Sequence, residues 1–326
     1  MRKVWIILDI VLFAVIVFVL SYPRIQAAKI KEIKIVHYRS INALPVYVAM
    51  ENGYFDSLKL KVTLEETEKL GDEVERVGRG AFGAGAGTYW DIFALKASAS
   101  PEIFRIVYNT KSSIDNPQYA LVAPKNKPVK SFRDLSRKGI KIGYLKDSRQ
   151  ADMLRYIFTN EKIKEDNYSL VALTQAEMMD TMSLRFVDAL LVTEPYRTYL
   201  IKKNLVNLVE DGILEKRVMA PFLCGVGFTS KVNVQLNQEG VRRFAEALSM
   251  AIDFIRKEPQ KSQEILRKYM ELQDTFSVNI PVFEKYTEIT DVAEIDRTIQ
   301  KYIEMQLMFR EVSFNNSILR KEEIQK

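Results

Sequence analysis

The chain has 326 residues, of which 47% are apolar and 28% are charged, as is typical of a folded globular protein. This length suits one large or two medium domains. The net charge of +6 is spread along the chain without a basic block interleaved with aromatic residues, which argues against a nucleic-acid partner. A single cysteine, Cys224, and a single histidine, His37, exclude an internal disulfide and argue against a metal site or a Cys–His catalytic pair.

Residues 4–20 form an apolar run that only Asp9 interrupts, and basic residues flank the run on both sides. Such a run is typical of a signal peptide or of a short membrane anchor. It is long for the first and close to the lower limit for the second, and a cleavage site could follow Ala27. We therefore expect residues 1–28 to be either a signal peptide or an anchor that attaches the protein to a membrane.

A strand–helix–strand pattern follows the N-terminal segment. Charged and apolar residues alternate over residues 31–38, which predicts the first strand. Pro45 near the start of the next apolar segment and Gly53 at its end predict a helix between them. A second strand over residues 60–65 and a helix over residues 73–78 come next. Strands that alternate with helices indicate a parallel or mixed sheet with covered faces.

The glycine-rich segment 78–97, GRGAFGAGAGTYWDIFALKA, is the most distinctive part of the chain. We expect a short strand over residues 80–84, a tight turn over residues 85–87, and a helix capped by Thr88. A turn of this kind presents free backbone N–H groups and the positive end of a helix dipole to a ligand oxygen. The spacing matches neither a Walker loop nor a dinucleotide fingerprint, and a packed structural turn is the alternative interpretation.

The end of the first strand should lie beside this glycine-rich turn. Ligands of such sheets bind at the carboxyl ends of the strands, next to helix N-termini. We therefore expect Tyr38, Ser40 and Asn42 to share one cleft with residues 85–89. Tyr89 is assigned to that cleft and its neighbour Trp90 to packing.

The alternation of strands and helices starts again after the Lys/Pro-rich segment 125–128. A strand is predicted over residues 139–145, and Asp147, Ser148, Arg149 and Gln150 cap the helix that follows. A later strand over residues 187–193 leads into Glu194 and a helix that begins near Pro195. This second strand–cap–helix unit could contact a ligand from the side opposite the first.

The repeated pattern predicts two lobes. Residues 29–125 and 222–326 are assigned to the first lobe, and residues 126–221 to the second. Further strands are expected over residues 104–108, 118–124, 168–173 and 223–229, and further helices over residues 175–185, 241–259 and 295–309. The segment 241–259 places Phe244, Leu248 and Ile252 on one face, which is typical of a packed amphipathic helix.

Five segments together resemble the extracytoplasmic solute-binding proteins of ABC importers, in the branch that binds sulfonates, nitrate, taurine and thiamine precursors. They are ALPVYVAMENGYF (43–55), GAFGAGAGTYWDIFALKA (80–97), KIGYLKDSRQADMLRYIF (141–158), VDALLVTEPY (187–196) and VRRFAEALSMAIDFIRKEP (241–259). The resemblance covers about residues 33–270. It implies an α/β, periplasmic-binding-protein-like fold of type II, in which two lobes joined by two crossing strands close on a small ligand.

The resemblance also implies a set of ligand-binding residues. They are Ser40, Asn42, Leu44, Gly87, Thr88, Tyr89, Ser148, Arg149, Gln150 and Glu194. The guanidinium of Arg149 would suit a carboxylate or sulfonate. The chain departs from the family pattern at Ala81, Thr193 and Asp147, and these departures leave the identity of the ligand open.

The function implied by the resemblance is non-catalytic binding of a small solute and its delivery to an ABC permease and its ATPase. The expected location is the periplasm or the outer face of the cytoplasmic membrane, and neither a cofactor nor a metal is expected. Two alternatives stay open: an enzyme on the same scaffold, and a membrane-anchored ectodomain that senses a ligand.

Overall fold

The computed structural model describes residues 12–13, 15–18, 29–180, 183–272, 276–290 and 292–325. Most of the predicted signal peptide or anchor, residues 1–28, lies outside these ranges. Within the described ranges, no helix is both long enough and apolar enough to cross a membrane.

Eleven strands in the described chain form two separate mixed sheets. The strands are β1 (Lys31–Tyr38), β2 (Leu60–Thr67), β3 (Ala84–Tyr89), β4 (Phe104–Ser112), β5 (Tyr119–Pro124), β6 (Ile140–Leu145), β7 (Tyr168–Leu173), β8 (Ala189–Thr193), β9 (Val206–Asp211), β10 (Phe222–Ser230) and β11 (Val282–Lys285). The first sheet has the order β11-β4-β10-β3-β1-β2, and the second has the order β7-β6-β8-β5-β9.

The two sheets share one internal order. In the first sheet β1 pairs in parallel with β2 and β3, and in the second sheet β6 pairs in parallel with β7 and β8. A strand that arrives from elsewhere in the chain then pairs antiparallel with β3 or β8; it is β10 in the first sheet and β5 in the second. The predicted α/β class with two strand–helix units is confirmed.

The chain passes between the sheets before β5 and again before β10. Strand β5 therefore belongs to the second sheet, although it lies on the first-lobe side of the predicted boundary at residue 125. The division into lobes at residues 125 and 222 stays a prediction.

Helices cover the faces of both sheets. They are α1 (Leu44–Glu51), α2 (Tyr54–Ser57), α3 (Asp72–Gly78), α4 (Trp90–Ala97), α5 (Gln150–Asn160), α6 (Gln175–Met179), α7 (Tyr196–Lys202), α8 (Ile213–Arg217), α9 (Lys231–Leu236), α10 (Gln238–Lys257), α11 (Pro259–Met270), α12 (Val292–Glu304) and α13 (Lys321–Ile324). The predicted amphipathic face of α10 is confirmed, since Phe244, Leu248 and Ile252 are buried in one core cluster with the apolar side chains of α1.

The glycine-rich segment differs from its prediction. Residues 84–89 form the continuous strand β3, and no turn interrupts it at residues 85–87. Thr88 lies within this strand and does not cap α4, which begins without a side-chain cap. Gly87 has a φ of +80°, and a Cβ there would lie 2.0 Å from the carbonyl oxygen of Tyr38. Glycine is needed at this position because β3 and the end of β1 approach each other so closely.

The other differences from the prediction are one additional strand and two helices with different bounds. Strand β9 was not predicted, since residues 206–211 are only partly buried and the segment alternates weakly. Helix α6 ends at Met179 rather than continuing to residue 185, and α12 begins at Val292 and ends at Glu304 rather than covering residues 295–309.

Candidate ligand-binding cleft

A cavity of about 780 Å³ lies where the two sheets meet. The first sheet contributes Tyr38, Arg39 and residues 66–70, which follow the carboxyl ends of β1 and β2. The second sheet contributes residues 145–147 and 174–176, which follow the carboxyl ends of β6 and β7. The location matches the rule that open α/β sheets bind ligands beyond their strand ends, and the volume suits a small ligand.

The two sheets touch across this cleft. The side-chain amide of Gln175 donates a hydrogen bond to the backbone carbonyl of Arg39, at 3.2 Å. The hydroxyl groups of Tyr89 and Thr193 lie 3.3 Å apart. Apolar side chains from both sheets form one buried cluster. Tyr38 belongs to it from the first sheet, and Val192 belongs to it from the second. These contacts hold the lobes together at the base of the cleft.

The charged groups of the cavity wall are of both signs. Arg39 forms ion pairs with Glu66 at 2.7 Å and with Glu271 at 2.8 Å. The hydrogen bonds that the Arg39 guanidinium donates to Glu66 are the main cause that raises the pKa of Arg39 above its usual value. The wall also contains Lys146 and Asp147. Because acids accompany the basic groups, the wall does not present a uniformly positive field to an anion.

The predicted first-lobe residues lie beneath this wall. The Ser40 hydroxyl donates to the carbonyl oxygen of Gly87 at 2.7 Å, so the end of β1 and the glycine-rich segment adjoin each other as expected. Asn42 accepts a hydrogen bond from Thr110 at 2.9 Å, and Leu44 is fully buried. Ser40 and Asn42 thus form hydrogen bonds within the protein, and Leu44 packs in its core.

The predicted second-lobe residues stabilise the start of α5. The Ser148 hydroxyl donates to the carbonyl of Leu145 and accepts from the backbone N–H of Gln150. The Gln150 side chain accepts from the backbone N–H of Leu145 at 2.9 Å. Arg149 pairs with Asp152 at 3.0 Å and lines a separate groove of about 600 Å³.

Glu194 is buried and fully engaged within the second lobe. Its carboxylate accepts hydrogen bonds at 2.7 Å from Arg197 and from the hydroxyl of Thr198, and the backbone N–H of Thr198 donates at 3.2 Å. Arg197 in turn pairs with Asp211. Burial raises the pKa of Glu194, and the charge of Arg197 opposes that rise.

In the described chain, Tyr38, which the strand order placed in the cleft, lines the cavity, whereas none of the ten residues implied by the resemblance does, although several of their sequence neighbours do. Tyr38 and Arg39 precede Ser40, Asp147 precedes Ser148, and Tyr196 follows Glu194 closely. Apart from Arg149, which lines the separate groove, the residues implied by the resemblance lie behind the cavity wall, and the role of all ten in binding stays a prediction.

A buried acid that the sequence did not reveal lies in the same layer. Glu73, near the start of α3, is completely buried, and burial raises its pKa to about 7. The hydroxyl of Thr88 is close enough to oppose that rise, although no hydrogen bond of ordinary length joins the two groups. In the sequence, Glu73 resembles the many surface acids that occupy the first turn of a helix, so no local signal distinguishes it.

The single histidine and the single cysteine are both buried within the first lobe. Nδ1 of His37 lies 3.0 Å from the Tyr47 hydroxyl, and burial lowers the pKa of His37. Cys224 is buried, and burial raises the pKa of its thiol. His37 is therefore a hydrogen-bonded strand residue, and Cys224 is a small side chain packed in the core. Within the described ranges, no group of three or more His, Cys, Asp or Glu residues could hold a metal ion.

Two sheets that share a five-strand order, with a sixth strand β11 at the edge of the first and a cavity at their facing strand ends, define a two-lobed periplasmic-binding-protein-like fold of type II. The family model described as NMT1/THI5 like matches residues 40–262, and the chain belongs to that family.

Solved structures support the same fold. The chain is similar to the periplasmic aliphatic sulphonate binding protein SsuA from Escherichia coli, with 18% identity, a TM-score of 0.67, and coverage of 89% of this chain and 92% of that chain. It is also similar to the periplasmic nitrate-binding protein NrtA from Synechocystis PCC 6803, with 10% identity, a TM-score of 0.63, and coverage of 86% and 83%.

A curated relative carries the name of an enzyme. It is 4-amino-5-hydroxymethyl-2-methylpyrimidine phosphate synthase from Aspergillus parasiticus, 25% identical over 254 residues, which cover 74% of this chain and 70% of that protein.

Proposed function

We propose that the protein binds a small organic or oxyanion solute in the cleft between its lobes, without chemical conversion, and delivers it to an ABC importer permease. The candidate solutes are sulfonates, nitrate, taurine-like compounds and thiamine precursors. The observation that carries the proposal is the cavity of about 780 Å³ formed by strand ends of both sheets. A ligand bound there would contact both lobes at once.

The contacts across the cleft support closure as the binding mechanism. The bond from Gln175 to Arg39 and the contact of Tyr89 with Thr193 form only when the lobes are together. A ligand that bridges the lobes would favour this arrangement over an open one, because it binds the closed state better. The permease would then recognise the closed form.

The comparisons support the location and the partner class. The similar proteins from E. coli and Synechocystis are named as periplasmic binding proteins. We therefore propose that this protein works in the periplasm or on the outer face of the cytoplasmic membrane, with an ABC permease and its ATPase as partners. Attachment through residues 4–20, if that segment is retained, belongs to the same proposal.

An enzyme on the same scaffold is the second candidate, and the name of the fungal relative favours it. The surroundings of the two residues best suited to catalysis speak against it. His37 bonds to Tyr47 in the core of the first lobe, and the Cys224 thiol is buried with a raised pKa. A base or nucleophile must reach its substrate, and neither group lines the cavity.

Thermal-shift and scattering measurements test the proposal. The panel contains ethanesulfonate, taurine, nitrate and an aminopyrimidine alcohol. We expect at least one compound to raise the melting temperature and to shrink the radius of gyration, and its recovery unchanged after incubation would exclude turnover. The variant Gln175→Ala should weaken binding, because it loses a contact of the closed state. A panel without any shift, or conversion of the bound compound, would refute the proposal.

A further inference from the structure

The edge of the first sheet opposite the cleft carries exposed apolar side chains. Ile30, just before β1, is 68% exposed, and Val232 and Leu236 on α9 are 54% and 84% exposed. Val232 and Leu236 are four residues apart, so they lie on the same face of this helix. Large apolar side chains that share one exposed surface are typical of a surface that contacts a partner or a membrane.

Hydrogen bonds place α9 beside the first residues of β1. Asn237, which follows α9, donates from its side-chain amide to the backbone carbonyl of Glu32 at 2.8 Å. Within α9, the side-chain amide of Asn233 donates to the carbonyl of Gly83 at 3.0 Å, just before β3. Because β1 and β3 are parallel neighbours in the sheet, both bonds lie at the same edge. The exposed face of α9 and the side chain of Ile30 therefore belong to one surface.

Lysines surround the apolar side chains of this surface. They are Lys29, Lys31, Lys59 and Lys61. Lys61 pairs with Glu32 at 3.0 Å, whereas the other three form no ion pair in the part of the chain that the structure describes. Asp56 is the second acid nearby, so the lysines leave the surface with a net positive charge. We call the surface formed by Lys29, Ile30, Lys31, Lys59, Val232 and Leu236 the basal surface.

The position of the basal surface along the chain indicates what covers it. The apolar run 4–20 is joined to Lys29 by the eight residues 21–28. A fully extended segment of this length spans at most about 29 Å. The guanidinium of Arg243 fixes the other end of the segment, since it donates to the backbone carbonyls of Lys29 and Lys59 at 2.8 Å each. A bilayer that holds residues 4–20 therefore keeps the basal surface near its headgroups.

We propose that the basal surface lies on a bilayer that contains anionic lipids, with its apolar side chains among the headgroups and its lysines beside the lipid phosphates. This inference rests on the part of the proposed function in which residues 4–20 are retained. Lysines are attracted to an anionic bilayer surface, and exposed apolar side chains are stabilised when they leave water. The cavity lies at the opposite ends of β1 and β2, so the cleft stays open to solutes.

Lipid quenching on the full chain in vesicles tests this orientation. Leu236→Cys receives a fluorophore, and the buried thiol of Cys224 stays unlabelled. The vesicles contain equal parts of phosphatidylcholine and phosphatidylglycerol, with spin-labelled phosphatidylcholine as the quencher, and we expect strong quenching. Phe309→Cys is the matched control, because Phe309 is 89% exposed but lines the groove beside α5 in the second lobe. Quenching at Phe309 should be several-fold weaker.

Charge variants test the electrostatic part of the contact. The combined variant Lys29→Gln, Lys31→Gln and Lys59→Gln should reduce quenching at Leu236 several-fold, because each lysine near an anionic bilayer contributes to the attraction. Vesicles of phosphatidylcholine alone should reduce it in the same way. A control variant changes three exposed lysines of the second lobe to glutamine and should leave quenching unchanged. They are Lys130, Lys138 and Lys164.

The inference is overturned if the labels at Leu236 and Phe309 are quenched alike, or if neither the combined lysine variant nor neutral vesicles reduce quenching at Leu236. Self-quenching between Leu236 labels without quenching by lipid would assign the basal surface to a second copy of the chain and would also overturn it. Full-length protein that does not bind the vesicles overturns the inference together with attachment through residues 4–20. In every case the panel and scattering measurements, which need no membrane, decide solute binding separately.

Discussion

Glu194 and Glu73 are two buried carboxylates, one in each lobe, near the same cleft. Glu194 accepts hydrogen bonds from Arg197 and from both the backbone and the side chain of Thr198. Neither oxygen of Glu73 has a hydrogen bond of ordinary geometry within the described chain, although the Thr88 hydroxyl and the backbone N–H groups of Glu73 and Gly71 are close enough to oppose the rise of its pKa. Both acids sit near the start of a short helix that follows a strand end, and the sequence alone had favoured Glu194 as the ligand contact.

The difference shows that burial does not identify a binding group. A buried charge that is paired and hydrogen-bonded is part of the structure, since its desolvation is compensated locally. A buried carboxylate without partners is neutralised by a proton, or its charge is compensated by a ligand. The environment of Glu194 therefore indicates a structural role for an ionised carboxylate, whereas burial makes Glu73 hold its proton more tightly.

The largest effect should come from removing the partner of Glu194. Arg197→Met leaves this carboxylate buried and without its ion pair, and we expect the free energy of unfolding to fall by about 3–5 kcal/mol. Urea denaturation measures the loss. Arg155→Met is the matched control, because Arg155 is half-exposed in its pair with Asp152 and should cost at most about 1 kcal/mol. Equal effects of the two variants would contradict the assignment.

A pH-dependent effect should come from Glu73. Its pKa is about 7 in the folded state, against 4.5 for the ordinary carboxyl group, so the folded state holds this proton more tightly than the unfolded state. Stability from this group is therefore present at low pH and is lost as the pH rises from about 4.5 to about 7, by about 3 kcal/mol in total.

Glu73→Gln isolates this effect. The variant lacks the titrating group, so its free energy of unfolding should increase relative to that of the unmodified protein across the same pH range. Asp72 and Tyr38 are the titratable groups that interact with Glu73, and both remain in the variant. Urea denaturation between pH 5 and pH 8 measures the difference, and a difference independent of pH would show that Glu73 does not titrate there.

The smallest expected effect on stability comes from the same substitution, threonine to valine, made beside each of the two buried acids. Thr198→Val removes a 2.7 Å hydrogen bond to Glu194 and should cost about 1.5 kcal/mol of stability. Thr88→Val changes an equally buried threonine beside Glu73, but its hydroxyl forms no hydrogen bond in the described chain, so the cost should stay within about 0.5 kcal/mol. Thermal unfolding compares the two, and similar losses would imply that Thr88 has a structural partner.

The order of strands and helices was predictable from the sequence because it depends on local signals. Alternating residues in β1, the apolar run of β8, and the glycine and proline residues at helix ends each act within a few positions. The adjacency of Ser40 and Gly87 was also predictable, since parallel strands end at the same edge. Strand β9 was missed because it is only partly buried and has a weak pattern.

The sequence by itself therefore determined the α/β class, the two strand–helix units and the strand edge at which the cavity lies. Only the tertiary structure decided which polar groups near that edge have partners. Arg197 reaches back from α7 to Glu194, which precedes that helix, and is held by Asp211 from β9, whereas Thr88 reaches the surroundings of Glu73 from β3. Glu194 has partners only three and four residues away, but Asp211, which holds Arg197, comes from a distant segment, and no local pattern encodes that contact.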